Sequence, residues 1–161
     1  MRKHVSKINI EYTYNENWKG NKYHYKNTTM EQQYFNGGDF AELIRKAQLN
    51  LTPEVDRTKA FNEGCDIEEY KESVKSARAD FTGVYLGEDY ETIWNNYFEQ
   101  DKAERYSYIT WDNENVIAYV MTTEEFKEFA REFTSLEKCT KRIRFRTETK
   151  KMLKWLNARA K

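Results

Sequence analysis

The chain reads as an α+β protein, and three observations predict it. Apolar and polar residues alternate with period 2 at several separate places, which marks half-buried strands. Between those places, capped stretches with a 3.6-residue apolar period mark helices. The apolar content is aromatic, with 12 Tyr, 9 Phe and 4 Trp in a chain of which 34% is charged. Disordered chains are poor in such residues, and 161 residues are enough to bury a core as one ordinary domain or two very small ones.

Each element follows from a local pattern. Ile8, Ile10, Tyr12 and Tyr14 alternate with polar residues, and Tyr23 and Tyr25 repeat the pattern after the polar stretch 15–20. A hairpin with a longish loop joins them, and residues 30–35 add a third strand. Asp39 is placed to cap a helix, with Glu42 reaching back in a capping box and Phe40, Leu43, Ile44 and Ala47 as its core stripe. Residues 50–72 have no sustained period and hold Pro53, so they read as a connector.

Downstream, residues 77–86 read as a strand. Tyr90, Ile93, Trp94, Tyr97 and Phe98 fall at helical spacing behind Asp89. Residues 106–111 and 116–121 flank a turn-forming segment, which predicts a hairpin. Thr122 and Glu125 form a second capping box ahead of Phe126, Phe129, Ala130 and Phe133, with Met121 placed to staple against Phe126. Residues 142–146 are a short strand, and Thr147 or Thr149 opens a final helix. From residue 77 the order is strand, helix, strand, strand, helix, strand, helix, the split βαβ order of a ferredoxin-like βαββαβ sandwich plus a C-terminal helix. The expected organisation is a β-hairpin and helix subdomain over 1–51, an acidic connector over 52–72, and the βαββαβα domain over 73–161.

Composition excludes several function classes. Cys65 and Cys139 lie far apart and lack the paired spacing of a zinc site or a disulfide framework. No apolar run approaches the roughly 18 residues of a membrane span, so a soluble protein of a reducing cytoplasm is expected. There is no phosphate-binding glycine loop, nucleophile elbow or His-Glu-x-x-His pair, and the two histidines are His4 and His24. Glu69, Tyr70 and Lys71 with Asp56 or Asp80 resemble a metal-dependent nuclease set only by chance spacing in a chain rich in Glu and Lys. No catalytic residue, cofactor or metal is expected.

Charge is the strongest functional signal. The last 25 residues carry ten Lys or Arg against two Glu, a surplus of eight, and everything before them sums to minus eight. Arg142, Arg144 and Arg146 share one face of a strand about 6.6 Å apart, a spacing suited to a row of phosphates or carboxylates. On the following helix Lys150, Lys151 and Lys154 gather on one side with Trp155 at the boundary. Basic residues beside an aromatic suit an acidic protein, a ribonucleoprotein or a nucleic acid. They are also what a solvated edge and a solubilising last helix look like.

The acidic body offers a competing surface. Residues 51–104 hold fourteen carboxylates and six cations, and Glu88, Asp89, Glu91, Glu99 and Asp101 form a face suited to imitating nucleic acid. A solvated helix face gives the same counts. Trp18 stands in a polar loop with no obvious core to enter, which makes it the favoured exposed aromatic and a candidate partner contact.

Residues 73–78 (Ser-Val-Lys-Ser-Ala-Arg), Leu86-Gly87 followed by Tyr97-Phe98, and residues 155–160 (Trp-Leu-Asn-Ala-Arg-Ala) resemble stretches of small proteins carried by phages and integrative elements of gut Firmicutes. The resemblance covers about half the chain and carries no catalytic signature. It implies a non-enzymatic binder of a mobile genetic element, including inhibitors of host defence of the anti-CRISPR type. An accessory nucleic-acid-binding module for element maintenance or transfer is the alternative.

Overall fold

A computed structural model of the chain describes residues 1–26, 33–55, 65–77, 80–82, 89–136, 142–145 and 147–161. Its architecture is α+β. The hairpin predicted around residues 112–115 forms its centre, with β7 at Arg105–Trp111 and β8 at Asn115–Thr122. Asp112 closes the turn, its Oδ1 accepting from the backbone N–H of Glu114 at 2.8 Å and of Asn115 at 2.7 Å.

Both free edges of this hairpin are taken by strands that the sequence pattern did not mark. β1, Arg2–Lys7, pairs antiparallel with β8, while β5, Glu72–Lys75, pairs parallel with β7. The resulting four-stranded sheet has the order β1-β8-β7-β5. Two strands expected in that sheet are therefore elsewhere. β6, Asp80–Thr82, and β10, Arg142–Phe145, pair with each other, and β9, Thr134–Leu136, adds to the far side of β10. The expected strand over 77–86 falls partly outside the described residues, and what is described of it belongs to this smaller sheet.

This strand order departs from the ferredoxin-like one for a steric reason. In the ferredoxin-like order β6 would lie beside β8 and carry β10 on its far side. β6 and β10 do pair, but β1 holds the β8 edge where β6 would dock, so the pair stands in a sheet of its own. The residues assigned to an N-terminal subdomain are joined to the main sheet by β1 pairing. Ile8, Ile10 and Tyr12, read as strand, have no strand assignment and pack on the core as partly buried side chains. A third small sheet follows from β2, Thr13–Tyr14, β3, Tyr23–His24, and β4, Tyr34–Phe35.

Helices cover the main sheet on both faces. α1, Gly37–Gln48, packs with the small sheet β2-β3-β4 on the face bearing Ile109, Trp111, Val116 and Ala118. α2, Tyr90–Gln100, α3, Thr123–Phe133, and α4, Thr149–Arg159, share the opposite face with Tyr106, Tyr108, Tyr119 and Met121. Alternation along β7 and β8 sends successive side chains to opposite cores, so residues such as Tyr108 and Ile109 are both buried.

The caps are local and mostly as expected. Thr122 and Glu125 form the capping box of α3, and Asp89 caps α2 by accepting from the Thr92 N–H at 2.8 Å. α1 differs. Its cap is Asn36, whose Oδ1 accepts from the Asp39 N–H at 2.8 Å, and Glu42 is buried rather than reaching back. α4 opens at Thr149 with Glu148 as N-cap, which makes no side-chain capping bond.

Candidate binding surfaces

Four positions on α4 carry the basic end, and their surroundings differ. Met152 and Leu156 are fully buried, which turns Lys150, Lys151 and Lys154 outward as exposed residues. Among the described residues no ion pair holds these three lysines. Trp155 is half-buried, its ring 5.7 Å from Phe129 and 5.9 Å from Phe133. The Arg159 guanidinium lies 3.7 Å above that ring, a cation–π contact that covers it further. Trp155 therefore anchors α4 more than it offers a stacking surface.

The arginine row is not an open edge. Arg144 is half-buried on β10, the middle strand of its sheet, in register with Ser135 on one side and Asp80 on the other. The side chain of Arg142 and all of Arg146 lie outside the described residues. In their place the fold supplies cations from the other end of the sequence. The Lys161 backbone bonds to Met1 O and Lys3 N, both at 3.3 Å, which sets exposed Arg2 and Lys3 of β1 beside the end of α4. No local pattern signals this neighbour.

The acidic face is largely committed to structure. Asp89 is the cap of α2, and the hydrogen bond from the Thr92 N–H holds its carboxyl below the usual range. Glu91 is gripped bidentately by Arg131 at 2.9 and 3.1 Å, and that hydrogen-bonded partner lowers its pKa. Asp101 accepts from the Tyr106 hydroxyl and from the Ala103 N–H. Glu99 is exposed, and Glu88 lies outside the described residues. A row of free carboxylates that could stand in for phosphates is not what these residues present.

Trp18 is half-buried too. It packs edge-on against Tyr34 at 5.3 Å and His24 at 6.4 Å. The exposed aromatics of this region are its neighbours Tyr34 and Tyr14, 46% and 47% accessible. Glu69, Tyr70 and Lys71 are exposed on a 3-10 turn and at its end, and among the described residues no three Asp, Glu, His or Cys side chains are placed to hold a metal ion. No described helix is long and apolar enough to cross a membrane.

Glu72, the last residue of the expected connector, belongs to a buried polar network. Arg45 and Glu72 are both wholly buried between α1 and the sheet. Arg45 Nε donates to Glu72 Oε2 at 2.8 Å and its Nη2 to Oε1 at 3.0 Å. Ser107 Oγ adds a bond at 2.8 Å and Arg105 Nε one at 2.7 Å. Gln48 and His4 take the remaining Arg45 nitrogen. Burial pushes Glu72 up, but the Arg45 hydrogen bonds and charge, with Ser107 and Arg105, outweigh it and hold the carboxyl below its ordinary value.

Beside this network a cleft of about 790 Å³ opens at the carboxyl ends of the parallel strands β5 and β7. Lys75, Ser76 and Ala77 continue from β5, while Thr110 and Trp111 end β7. The N-terminus of α1 and Thr149 of α4 reach its rim, and Tyr23 forms a wall. Ligand crevices in sheets with parallel strands lie at this end, where loops and helix starts diverge. Glu42 and Asp66 face it.

Burial, reinforced by Asp66, pushes the Glu42 carboxyl up to about 8. Asp66 is raised by burial as well, against the opposing effects of Lys75 and the Val74 N–H. A carboxyl raised in the folded state binds its proton more tightly there, so stability falls as pH rises from the ordinary value of 4.5 to about 8 and then levels. Glu42→Gln is expected to flatten that decline. Melting temperatures of both proteins across this window measure it, and parallel curves would show that Glu42 does not titrate there.

No family model matches the chain, and no curated protein or solved structure matches it with significance.

Proposed function

We propose that the chain is a non-catalytic binding protein of a mobile genetic element whose basic face docks on an acidic surface of a host-defence nucleoprotein effector, in the manner of an anti-CRISPR inhibitor. The observation that carries the binding role is the outward row of Lys150, Lys151 and Lys154, extended by Arg2, Lys3 and Lys161. Cations held on a helix with no carboxylate partner among the described residues keep their field for a partner and steer association. The kind of target rests on the resemblance to mobile-element proteins.

Lys150→Glu, Lys151→Glu and Lys154→Glu combined are expected to abolish capture of the nucleoprotein effector. Exposed charge changes usually alter stability by less than about 0.5 kcal/mol each, so the fold is retained. The check is co-purification with candidate CRISPR effectors and inhibition of their cleavage, at low and at physiological salt. Full capture by the triple variant would rule out this face, and turnover of a substrate without a stable partner would rule out the binding role.

A nucleic-acid module is the alternative, and it needs a stacking aromatic or a phosphate-spaced row. Trp155 is covered by Arg159, Phe129 and Phe133, and Arg144 is half-buried. Those contacts favour a protein surface on the partner. Direct, salt-sensitive binding of a naked strand in fluorescence anisotropy would reverse the preference.

A further inference from the structure

We propose that the cleft at the carboxyl ends of β5 and β7 is a binding site for a small organic cation, an amidine, guanidine or amine carried on a flat apolar body. The site is separate from the basic face. Its volume of about 790 Å³ lies within the range of small-molecule sites, roughly 300 to 1,000 Å³. Its lining is both acidic and aromatic, which fixes the class of ligand.

The charged residues of the lining are Asp39, Glu42 and Asp66 against Lys75, three carboxyls to one ammonium. Glu42 is 6% exposed and poorly served by cations. Its ion-pair partner Lys46 Nζ stands 3.5 Å away and gives a shorter bond, 2.8 Å, to the Glu54 carbonyl oxygen. Asp66 is better satisfied, accepting from the Val74 N–H at 2.7 Å. The cleft lining thus holds a buried carboxyl that gains from a cationic hydrogen-bond donor.

Aromatic side chains line the same cleft. Tyr23 and Trp111 meet edge to face with ring centroids 5.9 Å apart, and Tyr23 is stacked on Phe40 at 4.2 Å, which holds it in place. Aromatic rings attract cations and cover planar groups. A carboxyl beside such rings is a pocket for a planar cation.

Two other ligand classes fit less well. An anion at the N-terminus of α1 would meet the Asp39 carboxylate, and Asn36 already caps that helix end. A bare metal ion needs three converging ligands, and among the described residues no such group is present.

Entry of the cation favours ionised Glu42, so binding releases a proton and tightens as pH rises toward the Glu42 value. The groups facing Glu42 are Asp66 before β5, Asp39 and Lys46 on α1, and Lys75 on β5. Asp66 opposes its ionisation, as does Asp39, while Lys46 favours it.

The test uses the full chain, isotopically labelled, with three near-isosteric probes of different charge: benzamidine, benzamide and benzoate. Benzamidine is expected to give saturable NMR shifts clustered at the Trp111 indole N–H and the amides of Gly37, Gly38 and Thr110. Its affinity is expected to rise about tenfold from about pH 6 to about pH 8.5. Glu42→Gln, close to isosteric, is expected to remove that rise and to weaken binding at the upper pH by about tenfold. Saturable binding of benzoate or benzamide at the same residues, or no shift by benzamidine at millimolar concentration, would overturn the proposal. Because the wild-type probe series stands without any variant, a poorly folded Glu42→Gln protein leaves the test intact. Lys150, Lys151 and Lys154 do not line the cleft, so loss of partner capture and loss of benzamidine binding are separable results.

Discussion

Glu72→Ala is expected to destabilise the protein by about 3 to 5 kcal/mol, because it leaves the wholly buried Arg45 guanidinium without its carboxylate. The loss exceeds that of two ordinary hydrogen bonds, since an unpaired buried charge costs far more than the pair gains. Combining Glu72→Leu with Arg45→Met removes both charges and is expected to recover most of the loss. Arg105, whose side chain is 25% accessible, turns to water in that variant. Urea unfolding of the two proteins measures the difference. Equal destabilisation of both would show that shape, rather than charge pairing, holds α1 to the sheet. Acid weakens the same pair. The contribution of a carboxyl lowered in the folded state is full above its ordinary value and is lost as pH falls through the lowered one.

Phe129→Ala is expected to cost a similar amount, about 3 to 5 kcal/mol. Phe129 is fully buried on α3 and meets rings from three other elements. Tyr108 of β7 lies at 5.4 Å, Phe145 of β10 at 5.2 Å and Trp155 of α4 at 5.7 Å. The cavity left by its removal sits where the β6-β10-β9 sheet and α4 dock on the main sheet. Hydrogen-exchange protection is therefore expected to fall most in β10 and α4. Phe129→Leu fills most of the space and is expected to lose much less. A uniform loss of protection over the whole chain would contradict the hub role of this ring.

The legible parts of the fold share a short range. The Thr122 and Glu125 box, the Asp89 cap and the Asp112 turn are each closed within three residues. The pattern of Val116, Ala118 and Val120 on one face, with Tyr119 and Met121 on the other, is likewise local. Of the strands that the pattern did not mark, β5 carries one apolar side chain in four residues. Its buried position at 72 is filled by a carboxylate, which no hydrophobic pattern can reveal, because what pays for its burial is Arg45, 27 residues earlier. Glu42 was legible as a capping residue and is instead a buried carboxyl of the cleft, since Asn36 starts the helix three residues sooner.

The candidate surface divides along the same line. Lys150, Lys151 and Lys154 could be placed on the outer side of the last helix from residue spacing, because helical phase and the burial of Met152 and Leu156 decide it. The fate of Arg144 and Trp155 could not, for each depends on a neighbour chosen by the fold: strands on both sides of β10, and Arg159 and Phe129 over the indole. The α+β class, the caps of α2 and α3, the central hairpin turn and the polarity of charge were legible from local pattern and composition. The tertiary structure decided which strands share a sheet, which charges are buried and where the cleft opens. Strand edges and buried ion pairs join segments far apart in the chain, so no local pattern names the partner.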